Sequence, residues 1–159
     1  MVFSALILLV GASACGGGKA ALKEIAGQSG LTVAQVERLV QREAAAPGMT
    51  KNADELAQSW AQRVNAASSS TAGAPIDVQA AACGMVSDWI ETVAKGETYD
   101  QSAALQSLGL AVFSNDTQEG RQLLADAQII AAKASRGEPY FIELFSLQAA
   151  ASCALVDAS

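Results

Sequence analysis

From residue 19 onward the apolar positions of this chain recur three and four apart, the spacing that gathers side chains on one face of a helix. Val33, Val36, Leu39 and Val40 form the first clear stripe. Thr32 and Gln35 have the spacing of a capping box ahead of it, and Leu31 can staple to Val36. Pro47 and Gly48 stop that helix, and another is predicted from about 52 to 67 with Leu56, Trp60 and Val64 on one side. Residues 68–75, rich in Ser, Gly and Pro, read as a linker. Beyond it Asp77 can cap a helix with the stripe Val78, Ala82, Met85, Trp89 and Val93, which Gly96 ends. Thr98 with Gln101 predicts a second capping box before Leu105, Leu108 and Val112, and residues 114–116 a turn. Asp116 with Glu119 predicts the cap of a helix carrying Leu123, Leu124, Ala127, Ile130, Ala131 and Ala134. Gly137 and Pro139 separate it from a last helix with Phe141, Leu144, Phe145, Gln148 and Leu155 in register. The fold class is therefore all-α, a single bundle of about six to seven short amphipathic helices. Residues 19–67 form an N-terminal layer and 76–159 a C-terminal bundle.

The first residues follow a different rule. Residues 2–10 are apolar except for Ser4, long enough for the core of an export signal and too short for a membrane span of about 20 residues. Ala12, Ser13 and Ala14 are the small residues a signal peptidase accepts, and Cys15 follows, succeeded by Gly16, Gly17 and Gly18. Over about its first 18 residues the chain resembles a bacterial lipoprotein signal. It departs from that pattern in having Ala12 where the family most often has Leu, and no Lys or Arg before the apolar run. The resemblance implies a signal peptide over 1–14, cleavage before Cys15, lipidation of its thiol, and a glycine tether over 15–18.

The cysteines fit export. With Cys15 assigned to lipid, Cys83 and Cys153 remain as an even pair that an oxidising compartment would let bond. The reading requires their two helices to pack side by side.

Composition narrows the chemistry. About half the residues are apolar, but many are alanine and only 5% are aromatic, which favours close-packed helices over strands. The formal net charge of −6 is concentrated after residue 71, so the C-terminal part should repel nucleic acid and anionic lipid. The chain has no histidine, which removes most zinc sites and every imidazole-based triad. No cofactor or metal site is expected. A phosphate-loop reading around Lys19 fails at Ser13 and Ala20, and a calcium-loop reading over 115–126 fails at Thr117 and Leu123.

Two sharper alternatives remain. The segment 21–40, with Ile25, Ala26, Gly30, Leu31, Val36 and Leu39, resembles the helix-turn-helix of bacterial regulators. Thr32, Ala34, Gln35 and Arg38 would then face DNA, although Gly30 and Leu31 equally suit a plain helix hairpin. Asp88 and Glu91, three apart on one helix face, are the one carboxylate pair to weigh for an envelope enzyme. Trp60, Trp89, Phe141 and Phe145 read as core rather than as a ligand pocket. The sequence thus points to a membrane-anchored lipoprotein of the cell envelope or periplasm, non-catalytic, held through Cys15 and binding a protein partner. A DNA-binding regulator is the alternative, and a carboxylate enzyme the more distant one.

Overall fold

A computed structural model describes residues 16–68 and 73–153 of the chain. Among them are seven helices and no strand: α1 (Gly17–Ser29), α2 (Val33–Ala44), α3 (Ala53–Ser68), α4 (Ile76–Ala94), α5 (Gln101–Ser114), α6 (Gln118–Ser135) and α7 (Phe141–Ala150). The all-α bundle expected from periodicity is the fold. Gly17 and Gly18, expected in a tether, instead form the first turn of α1, where Gly18 is buried against Asp54 of α3. Leu155 lies outside the described residues, as do 1–15.

Local chemistry sets most of the helix ends. Gly30 ends α1 in the left-handed conformation at φ 73°, which costs a residue without Cβ little, and its N–H closes on the Ala26 carbonyl. The Thr32–Gln35 capping box is present in full. Asn52 and Glu55 form the reciprocal pair at the start of α3: each side chain accepts from the other's backbone N–H. Three expected caps are displaced. Pro75, not Asp77, precedes α4, leaving Asp77 inside the first turn. Asp100, not Thr98, caps α5 by accepting from the Ser102 and Ala103 N–H groups. Thr117, not Asp116, caps α6, and Asp116 pairs with Arg121 instead. In each case a neighbouring residue with an equally competent cap, or a proline with φ already fixed, takes the position.

Helix α7 is the hub. It packs on α1 and α3 from the N-terminal part and on α4 and α6 from the C-terminal part, so one core runs across the sequence break at 68–75. Six aromatic rings form a continuous array through that core: Tyr99 stacks on Trp89, which meets Tyr140, then Phe141, Trp60 and Phe145. Trp60, Trp89, Phe141 and Phe145 are accordingly core residues. No described helix is long and apolar enough to cross a membrane.

Candidate functional site

Two features could carry function: the ground around the cysteine pair, and a carboxyl group buried in the core. Cys83 lies midway along α4 and Cys153 just beyond α7, and their sulfurs meet at bonding distance with Cα atoms 5.3 Å apart. Helices α4 and α7 do pack side by side, as the pairing requires. Ser152, with φ of 56°, turns the chain so that Cys153 points back toward α4. A non-glycine residue there stores roughly 1 kcal/mol, which the cross-link holds in place.

A cleft lies on either side of this pair. One, of 290 Å³, is mainly apolar, with Ile25, Val64, Phe145, Ala149 and Cys153 among its walls. The other, of 350 Å³, is polar and includes Gln35, Ser87, Glu91 and both cysteines. Gln148 lines both and donates to the Ser29 carbonyl at 3.4 Å, tying α7 to the end of α1. A concave apolar wall with a few convergent amides is the usual form of a binding site.

The buried carboxyl is Glu43, the one charged residue buried among the described residues, at 5% exposure. It sits at the end of α2 on the floor of a cleft walled by Arg42, Tyr140 and Phe141. Tyr140, which precedes α7, supplies no side-chain cap, and the Glu43 carboxyl faces the Phe141 N–H at the start of that helix. Glu43 thus sets a carboxyl against the positive end of α7 from another helix. Burial, and then the nearby Glu143 carboxylate, push the Glu43 carboxyl up to about 7, against the opposing pull of Phe141 N–H and Lys133. Glu143 is ion-paired with Lys133, and Arg63 lies 3.9 Å from it. One oxygen of each glutamate and the Trp60 indole N–H have no hydrogen-bond partner among the described residues. The indole faces Glu43 without reaching hydrogen-bond geometry.

No protein family, curated protein or solved structure matches the chain.

The other candidates separate clearly. Cys15 lies outside the described residues. In the 21–40 hairpin Thr32, Ala34 and Arg38 are exposed, but Thr32 and Gln35 spend their polar groups on each other. Asp88 and Glu91 are both exposed, and Lys95 takes the Glu91 carboxylate, holding it below the usual range. Residues 118–126, the larger part of the supposed calcium loop, are helical, with Gly120 buried. Among the described residues no group of three or more His, Cys, Asp or Glu side chains could hold a metal ion. Glu43 escaped the sequence reading, although its register gave it away: it continues the stripe of Val36, Leu39 and Val40.

Proposed function

We propose that this chain is a lipid-anchored binding or scaffolding protein of the bacterial cell envelope. The observation that carries the reading is the meeting of Cys83 with Cys153, which leaves Cys15 as the remaining cysteine of the three in the sequence. A structural bond between them suits an oxidising compartment, and Cys15 stands where the lipoprotein signal would place an acylated thiol. Because α1 begins at Gly17, only Gly16 would separate the anchor from the folded domain. At about 3.5 Å per extended residue the domain would ride directly on the bilayer surface, with little freedom to swing away. Several acyl chains, each methylene worth about 0.8 kcal/mol on burial, would hold it there. The apolar cleft walled by Ile25, Val64 and Phe145 supports a binding role.

Intact mass of the protein from its native host, with and without reductant, tests the anchor and the cysteine pair together. The expected product starts at Cys15, carries acyl mass, and gains two hydrogens on reduction. Cys15→Ser should move the protein out of the membrane fraction or leave it as uncleaved precursor. A full-length, unacylated chain in the cytosol would overturn the proposal.

A further inference from the structure

The apolar cleft beside the cysteine pair offers one kind of chemistry to anything that enters it. At 290 Å³ it is about twice the size of a cavity that holds benzene, roughly 150 Å³, so an apolar body of up to about a dozen carbon atoms fits. Ile25, Val64 and Phe145 supply buried apolar surface at its base. Gln28 and Ser29 at the end of α1, and Gln148 near the end of α7, supply its polar walls.

Those walls present hydrogen-bond acceptors. The Gln28 amide donates to Asn65 at 2.8 Å and the Gln148 amide to the Ser29 carbonyl at 3.4 Å, while neither side-chain oxygen has a partner among the described residues. The main-chain carbonyls of Gly27 and Gln28, in the last turn of α1, also accept nothing among the described residues. Field and charge act in the same sense. Helices α1, α3 and α7 run in one direction: Gly18 meets Asp54 while Gln28 bonds Asn65, and Trp60 meets Phe141 while Ala67 and Ala150 share the wall of another cleft. Their negative ends gather at this cleft, and none of the three has a basic residue in its last turn. No ionisable side chain lines it. In the polar cleft across Gln148 the one ionisable wall residue is Glu91, acidic and already paired with Lys95.

A ligand matched to these walls brings an apolar body, donors and positive charge. An ammonium group has three donors, no acceptor and the sign that helix C-terminal ends favour. A carboxylate is its opposite on every count, and it would meet only oxygen atoms here.

We propose that this cleft binds a small amphiphilic amine in its ammonium form, with the apolar body against Ile25, Val64 and Phe145 and the head toward the free oxygens of Gln28 and Gln148. The inference rests on the binding role proposed above and gives it a ligand class. Its test is separate from that of the anchor: an acylated protein with no affinity for such an amine would overturn this inference alone.

Calorimetric titration with octylamine, octanol and octanoate, three ligands with one chain length and different heads, reads the preference directly. The protein is the full chain carrying Cys15→Ser, so that no acyl chain of its own competes for the cleft. Octylamine, an ammonium ion at about pH 7, should bind at least roughly tenfold more tightly than octanoate, with octanol between them. Two variants test the place. A Cβ at Gly27 would meet nothing within 4 Å, so Gly27→Leu has room at the cleft wall, and Ala149→Leu narrows the cleft from α7. Each should lower octylamine affinity by at least roughly tenfold with the helical signal unchanged. Gly84→Leu, at an equally open glycine of α4 outside the cleft walls, should bind as the parent does. Failure of octylamine to bind at roughly millimolar concentration, octanoate binding as tightly as octylamine, or full octylamine affinity in both cleft variants would overturn the proposal. The head preference is read without either cleft variant, so it decides the matter even where a leucine disturbs the fold.

Discussion

Replacing Glu43 with glutamine should make the protein more stable at pH 8 and nearly indifferent at pH 5. In the unfolded chain this carboxyl titrates near 4.5, and in the fold near 7. Between those values the folded state keeps a proton that the unfolded chain has released, so raising the pH favours unfolding. Below 4.5 both states are protonated and the group is neutral in its effect. Above 7 both are ionised and the folded state bears the full penalty, on the order of 3 kcal/mol. Glutamine keeps an oxygen for the Phe141 N–H and places an uncharged amide toward Glu143, so about 1–3 kcal/mol should be recovered at pH 8. Alanine should be less stable than glutamine at every pH, since it leaves no oxygen facing the Phe141 N–H and opens a cavity beside Trp60. Urea midpoints of wild type, Glu43→Gln and Glu43→Ala between pH 5.5 and about 8.5 distinguish these cases. A wild-type pH slope that survives intact in the glutamine variant would show that other groups produce it.

Reducing the Cys83–Cys153 link should cost about 4 kcal/mol. The closed loop spans 70 residues and contains α5, α6 and α7, so opening it restores considerable freedom to the unfolded chain. For a domain of this size the thermal midpoint should fall by roughly 10–20 °C. The loss should be shared across the bundle, because α7 packs on helices from both ends of the sequence. A Cys83→Ala, Cys153→Ala double variant should match the reduced wild type and no longer respond to reductant. Equal stability of oxidised and reduced protein would mean that helix packing alone holds α4 and α7 together. Releasing the pair would also free Ser152 to leave its left-handed conformation. That loosens the wall that Ser152 and Cys153 give to the apolar cleft.

These effects differ in how far the sequence announced them. The disulfide partners were legible by counting, because with Cys15 assigned elsewhere only one pairing remained. The Glu43 site was only half legible. Its place on the stripe of Val36, Leu39 and Val40 predicts burial, but the groups that make burial bearable come from residues about 100 positions away. Glu143 similarly interrupts an apolar run, Phe141 to Phe145, and nothing local names Lys133 as its partner. The inner side of α5 was legible, since the stripe of Leu105, Leu108 and Val112 marks it, but Leu110 and Phe113 are apolar too and nothing local says that they stay outside. The fold buries Leu108 and Val112 against its neighbours and leaves Leu110 and Phe113 outside.

By itself, then, the sequence determined the helices, their approximate ends and their inward stripes, because these depend on interactions within one or two turns. The tertiary structure alone decided which helices meet: that α7 joins both halves of the chain, that Glu43 of α2 is buried facing its first turn, that two clefts flank the cysteine pair, and that one flank of α5 is left bare. Hydrophobic attraction has no direction, so a stripe specifies that it will be buried but not against what; only the packing of all the helices into one core makes that choice.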